Sequence, residues 1–468
     1  MISKSLALKV LNVALSTGGD YAEIYLEETT PESYVLENGR VDSVSASQSY
    51  GCGLRILNGF RSVYGYTSDL SAKSLIGLAE SLRASFEGER KITVESIVSP
   101  RIKKINHVVD HVKDVPVEEK INYLKELSAT AQSVDSRIVR VISGLASVVK
   151  NVEIYNAEGP VANQFSNVEE RTRVFLNVIA AGENGIETAF AGPGTCAGWS
   201  YFTKAIDAKA IAKRAGEKAI MMLTAKECPS GRYTVVIKNG WGGVLFHEAC
   251  GHPLEASATS KGLSVFSSSI GKQIASPCVS AWDDGTIPNE WGSSNIDSEG
   301  VPTQKNELIR DGICVGFMVD RFNGRRLNMA PNGTARRQSY KYCPTSRMSN
   351  TYIAAGKDDP AKIIEDTPLG IYVADFGGGS VDPSTGEFNF SASEAYIIRD
   401  GKICEPVKGC TLIGTGQEVL MQIDRVGNDL ALGQGNCGAA SGSIAVDVGQ
   451  PTIRLKEITV GGRGGKLA

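Results

Sequence analysis

Two histidines five residues apart, with a glutamate beside the first, stand out as residues whose type and spacing could do chemistry: His247-Glu248-Ala249-Cys250-Gly251-His252. Imidazole nitrogens are ordinary ligands of zinc, and a carboxylate next to such a ligand can take a proton from water. The more familiar peptidase pattern, H-E-x-x-H, sets its histidines four apart on one helical face. Five residues of regular α-helix turn by about 500°, which leaves the two side chains about 140° apart. The spacing therefore predicts a distorted helix. Gly251 tolerates unusual backbone angles, and Pro253 disfavours the α conformation at His252. A bulge or an unwound last turn is expected to swing the second imidazole towards the first.

Only four histidines occur in 468 residues, and the other two, His107 and His111, lie in the N-terminal half. A catalytic zinc usually takes three protein ligands and leaves a position for water. The third ligand must then be a thiolate or a carboxylate, and the residues leave Cys437, Cys250 and Glu255 open. Cys437 sits in Gly435-Asn436-Cys437-Gly438, a stretch that can approach a metal closely. Cys250, two residues from His252, is expected to point elsewhere. His107 and His111 have helical spacing but lie in a polar, irregular stretch with no acidic base, and read as solvated surface. Gly377-Gly378-Gly379 lacks the Lys-Ser/Thr of a nucleotide loop and reads as backbone pairing or a tight turn.

The elements that must position these residues can be read from periodicity. Leu6, Val10, Val13 and Ala14 fall at helical spacing and predict an amphipathic first helix. Lys9 interrupts the apolar run and no small-residue cleavage site follows, so a signal peptide is not expected and the location predicted is cytoplasmic. Residues 21 to 67 alternate apolar and polar positions around Asn38-Gly39 and Asn58-Gly59, which predicts an antiparallel meander with hairpin turns. A helix over 69 to 87 follows a capping Ser68-Asp69, then a polar irregular stretch over 88 to 115, a long helix from Val117, strands over 137 to 190 and a helix over 205 to 225. The turn-rich Glu227-Cys228-Pro229-Ser230-Gly231 marks a boundary. The prediction is an α+β chain of two domains. An N-terminal domain (1–227) has an antiparallel sheet flanked by helices. A β-rich C-terminal domain (228–468) has packed sheets or a barrel and carries the short histidine helix. The terminal GGRGGKLA is expected to fray.

Composition narrows the function. The chain is 42% hydrophobic and 22% charged with a net charge of −3, so a basic nucleic-acid surface is not expected, and no stretch reads as membrane-spanning. Ten cysteines are scattered without a CxxC pair, which predicts reduced, buried and inert thiols apart from one or two ligands.

The segment HEACGHPLEA, residues 247 to 256, resembles the signature of the TldD/PmbA family of metallopeptidases, once named modulators of DNA gyrase. GTARRQSYKYCPTSRMSNTYIAAG (333–356), VADFGGGSVDPSTGEFNFSASEAYIIRDGKI (373–403), GNCGAASGSIAVDVGQPTIRLKEITVGG (435–462) and YGCGLRILNGFRSVYGYTS (50–68) are similar to further blocks of that family, so the resemblance runs over nearly the whole chain. The family has a proteolytic subunit with H-E-x-x-x-H and a partner type without it, and this chain resembles the former, TldD type. The resemblance implies a zinc-dependent peptidase acting on peptides or unfolded proteins. It makes His247, His252 and Cys437 the zinc ligands and Glu248 the catalytic base. The implied assembly is a homodimer or a heterodimer with a motif-less paralogue. Tyr340, Tyr342, Arg347 and Asn350, in the polar second block, are candidate donors to an oxyanion, although ordinary strand and turn structure accounts for each. The rival function is a non-catalytic assembly or chaperone-like subunit with a structural metal. Glu248 separates the two, because a structural site has no need of an acid beside its ligand.

Overall fold

The computed structural model describes residues 2–183, 185–382 and 384–467. Its first half is built on one nine-stranded sheet. After helix α1 (Lys4–Ala14), capped by the Ser3 hydroxyl, come β1 (Tyr21–Glu37), β2 (Arg40–Ala46), β3 (Ser49–Asn58) and β4 (Arg61–Thr67). The meander is as the alternation predicts. The first hairpin turns on Asn38 and Gly39, both at positive φ, and the second closes between Asn58 and Arg61 with Gly59 at positive φ. Helix α2 (Ala72–Arg83) starts later than expected. Asp69 accepts from the backbone and hydroxyl of Ser71, which leaves Ser71, not Ser68-Asp69, to cap the helix through Ser74 N. Then follow β5 (Ser96–Val98), α3 (Val117–Gln132), β6 (Ile138–Ala157), β7 (Val161–Gly182), β8 (Gly185–Ala191), β9 (Gly194–Thr195) and α4 (Ala208–Thr224). The sheet runs β4-β3-β1-β6-β7-β5, with β2 on β1 and with β8 and β9 on β7.

Helices cover one face of this sheet. Ala22, Ile24 and Leu26 of β1 pack with Val10, Leu11, Leu75 and Ala79 of α1 and α2, and Val141, Leu145, Leu176 and Val178 pack with α3 and α4. The opposite face, where β1 carries Glu23, Tyr25 and Glu27, is equally buried, because the second half of the chain lies on it. Period-2 alternation thus marks two buried faces of different polarity. Arg55 of β3 reaches Glu299 at 2.6 Å with both side chains at most 2% exposed. Arg337 pairs with Glu23, and Arg171 donates to the carbonyls of Trp291 and Ser293. The stretch over 88 to 115 is also tied down: the amides of Ile105 and Asn106 donate to Asn295 Oδ1, and that of His107 to Asn289 Oδ1.

The second half comprises β10 (Lys226–Glu227), β11 (Gly231–Ile237), β12 (Ala281–Asp284), β13 (Lys305–Arg310), β14 (Ile313–Cys314), β15 (Ala335–Arg336), β16 (Thr345–Ser346), β17 (Asn350–Ile353), β18 (Leu369–Val381), β19 (Glu387–Arg399), β20 (Lys402–Lys408), β21 (Thr411–Thr415), β22 (Ile423–Val426), β23 (Ala431–Ala439), β24 (Gly442–Gln450) and β25 (Ile453–Gly461). Strands β19, β18, β11, β25 and β21 close into a barrel because β21 pairs back with β19. A six-stranded sheet, β14-β13-β12-β17-β24-β23, packs beside it. Gly378 and Gly379 are strand residues opposite Ser391 and Phe390. The tail does not fray through residue 467: Gly464 N donates to Cys228 O at 2.8 Å and Leu467 N to Tyr233 Oη at 3.1 Å. Among the described residues no helix is long and apolar enough to cross a membrane. Most cysteines are buried thiols as expected, but Cys278 and Cys404 are exposed.

The Arg55–Glu299 pair gives a direct measure of how dry the contact between the halves is. Arg55→Met leaves Glu299 buried and uncompensated, and is expected to lower the free energy of urea unfolding by about 3–5 kcal/mol. Adding Glu299→Gln should recover a substantial part of that loss. A single-variant loss within the scatter of surface substitutions would mean that water reaches the carboxylate.

Candidate functional site

The histidine segment begins where β11 ends. A 3-10 turn over Gly240–Gly243 leads into one α turn, α5 (Val244–Phe246), then a π turn over His247–Gly251 and a second 3-10 turn over His252–Leu254. The segment lies directly on β24, and a Cβ on Gly243 would collide with the backbone of Gly449. In the π turn His252 N donates to His247 O, so one turn takes five residues and stacks the second histidine over the first. The two rings lie 5.0 Å apart at 84°.

The distortion is the expected one, but its causes are not. Gly251 has ordinary helical angles, φ −57° and ψ −58°. Glycine fits there because a Cβ would displace the buried Met348 side chain. His252 also stays helical, at φ −58° and ψ −45°, in spite of Pro253. Pro253 falls at the start of the following 3-10 turn, where the lack of an N–H is no loss.

Cys437 enters from β23, opposite Ile444 of β24. Its Sγ lies 3.2 Å from His252 Nε2, and the candidate ligand atoms of His247, His252 and Cys437 all fall within 4.8 Å of one another. Tetrahedral zinc ligands sit about 3.5 Å apart, so a small contraction would bring this trio onto one ion. His247 is buried, and among the described residues nothing hydrogen-bonds its Nδ1. A soft thiolate with two imidazoles is a donor set suited to zinc. Glu248 Oε2 lies 3.7 Å from His252 Nε2, with the side chain 23% exposed, so it lines the open side of the cluster. Cys250 points away, with its Sγ 4.0 Å from Gly416 O.

Glu255, one of the alternatives for third ligand, has a different place. Its Oε1 lies 3.2 Å from His252 Nδ1, on the ring edge away from Cys437. A carboxylate behind a metal-binding histidine fixes which nitrogen faces the metal. Arg347 completes this shell from full burial. Its terminal nitrogens donate to Cys437 O at 2.7 Å, Gly442 O at 3.0 Å and Ser441 Oγ at 3.0 Å, and its Nε lies 3.8 Å from Glu255 Oε1. One guanidinium thus braces the β23–β24 hairpin and the carboxylate behind His252. Neither role was visible in the spacing of residues.

Burial, then the nearby His252 and Arg347, hold the His247 pKa well below its ordinary value, so at neutral pH the ring is uncharged and able to ligate. Burial would lower His252 as well, but Glu255 and the contact with Cys437 outweigh it and hold His252 well above the ordinary value. Surroundings that favour a proton on that ring favour a cation beside it. Burial raises Glu248, which makes it a stronger base than a surface carboxylate.

The remaining candidates fall elsewhere. Asn350 is fully buried and its amide nitrogen is committed to Asp284 O and Ser293 Oγ. Tyr340 and Tyr342 line a cavity between the two halves. His107 is exposed, whereas His111 is not simply solvated: its Nδ1 meets Glu170 Oε2 at 2.6 Å.

Three family models cover the chain in order: the PmbA/TldA metallopeptidase domain 1 over residues 22–87, the central domain over 110–223 and the C-terminal domain over 230–462. A metalloprotease TldD homolog of Haemophilus influenzae is 37% identical over 98% of this chain and 97% of its own length. A second, from Buchnera aphidicola subsp. Schizaphis graminum, is 36% identical over 95% of this chain and 93% of its own. The crystal structure of a Thermotoga maritima protein described as a modulator of a DNA gyrase superposes with a TM-score of 0.77 at 21% identity, covering 94% of this chain and 96% of that one.

The bracing role of Arg347 has a measurable consequence. Arg347→Lys keeps the charge but loses the fork that holds Cys437 O and Gly442 O together. The affinity of the cluster for added metal is expected to fall by about 10–100-fold in competition with a chromogenic chelator. Unchanged affinity would show that the hairpin holds Cys437 without it.

Proposed function

This chain belongs to the PmbA/TldA metallopeptidase family, and from that premise we propose that it is a zinc-dependent peptidase of the proteolytic TldD type, with His247, His252 and Cys437 as ligands and Glu248 as general base. The observation that carries the proposal is the convergence of these ligand atoms within 4.8 Å, with the Glu248 carboxylate on their open side. Zinc bound there would supply Lewis acidity, lowering the pKa of a water and polarising a scissile carbonyl. The protein's own residues do the rest. Glu248, raised in basicity by burial, takes a proton from water and returns it to the leaving amine. Glu255 keeps the His252 ring turned towards Cys437, and Arg347 keeps the thiolate strand in place.

We further propose that the substrate is an extended chain, either a peptide or an unfolded protein, cleaved in the cytoplasm. Support comes from the burial of the cluster: the Cys437 residue is 6% exposed and the His252 side chain 13%. A folded surface cannot reach such a site without local unfolding. The family resemblance supports action within a dimer, with a second copy or a motif-less paralogue. So does β2, which is exposed at every one of its 7 residues.

The test of mechanism separates metal from base. Glu248→Gln is expected to keep zinc, measured by elemental analysis, while peptide cleavage falls by about 10²–10⁴-fold. Cys437→Ala should lose both. Cleavage within a few-fold of the parent in Glu248→Gln would remove it as the base, and full zinc content in Cys437→Ala would place the third ligand elsewhere.

The test of substrate class uses one globular domain and a destabilised variant of it at equal concentration. Cleavage should follow the unfolded population of each. Equal cleavage of both, at sites buried in the folded form, would overturn the proposal.

A further inference from the structure

A cavity of about 550 Å³ opens between the two halves of the chain, against the β23–β24 hairpin at Asn436 and Ser443 to Ala445. Most charges on its wall are matched. Arg171 meets Glu169 at 2.5 Å, Lys150 lies 3.5 Å from Glu27, and Arg337 pairs with Glu23 behind the wall. Arg336 is different. Its terminal nitrogens donate only to backbone carbonyls, Met348 O at 2.5 Å and Ala445 O at 2.6 Å, and among the described residues no carboxylate pairs with it. Burial, then the neighbouring Arg171, lower its pKa to about 10 against the opposing pull of Glu169 on the same wall. Asp297, also on the wall, does little to correct this near neutrality, because burial and Glu299 push its pKa up to about 8. Lys341 adds an exposed cation at the rim, and the hydroxyls of Tyr342 and Ser443 line the same space with no hydrogen-bond partner among the described residues.

We propose that this cavity binds an anionic oxygen group, a carboxylate or a phosphate, through Arg336, Lys341, Tyr342 and Ser443. A half-buried guanidinium whose hydrogen bonds go only to carbonyls gains from an oxyanion that accepts charge-assisted hydrogen bonds. The site does not depend on the peptidase reading. It does touch the same hairpin: Ala445, whose carbonyl Arg336 holds, pairs with Asn436, the chain neighbour of Cys437. Two sources could present the group, a free phosphate ion or the terminal carboxylate of a peptide.

Calorimetric titration of the full-length chain with inorganic phosphate, with N-acetyl-dialanine and with the amide of that peptide distinguishes them. Saturable binding of phosphate alone assigns the free ion, and binding of the peptide acid but not its amide assigns a chain terminus. In either case Arg336→Gln is expected to weaken binding by about tenfold or more. Lys341→Gln, at an exposed position, should weaken it several-fold and decides the matter if Arg336→Gln does not fold. Absence of saturation by both anions at millimolar concentration overturns the proposal. So does amide binding as tight as the acid, or affinity unchanged in Lys341→Gln.

Discussion

The hydrogen bond from His252 N–H to His247 O sets the geometry of the whole site. With the ordinary four-residue repeat, the second imidazole would rotate off the first and leave Cys437 facing an empty helix side. A π turn is an uncommon arrangement that packing must enforce. Here the enforcement comes from three close approaches. Gly243 rests on Gly449, Gly251 rests on the Met348 side chain, and the Ala249 carbonyl rests against Gly416. Leu245, Phe246 and Leu254 then anchor the segment in the core of the second half. The segment cannot rewind without lifting off β24, so the histidine spacing and the glycines around it form one constraint.

A second constraint acts between the halves. Their contact is made largely of buried charges rather than apolar side chains, with Arg55, Glu299, Arg337 and Glu23 all buried. Buried ion pairs contribute little net stability, because desolvation offsets most of their attraction. They do penalise any displacement that separates partners. The sheet of the first half is therefore held in one position over the second, even though the apolar cluster between them is small.

The histidine pair and Glu248 were legible as candidates because a short local pattern states them, whereas Cys437, far along the chain, stood beside Cys250 and Glu255 until the family resemblance singled it out. The antiparallel meander was legible because Asn-Gly turns and alternation are also local. What escaped the sequence depends on distant residues. Gly251 is the right residue for a reason that only Met348 supplies. Glu255 could be weighed as a ligand, but its place behind His252 follows from the π turn. Arg347 was visible as a polar residue, and its role exists only because the β23–β24 hairpin, about ninety residues later, brings two carbonyls to it. Alternation in β1 predicted the strand but not what its polar side meets: Glu23, Tyr25 and Glu27 face the second half of the chain. The last residues looked like a frayed tail, because glycine-rich composition cannot reveal the Cys228 carbonyl that receives Gly464.

The docked tail and the placement of Cys437 bear on how the protein is made. His252 and Cys437 are 185 residues apart in the chain, and the barrel closes only when β25 meets β11 and β21. At a synthesis rate of roughly 5–20 residues per second, the two histidines precede their thiolate by about 10–40 s. During that interval β11 gains β18 but not β25, and the Cys437 thiol is not yet beside the imidazoles. The nascent chain can therefore complete neither the histidine–cysteine cluster nor the closed barrel before β23 and β25 are made, and both become available within the same few dozen residues of translation.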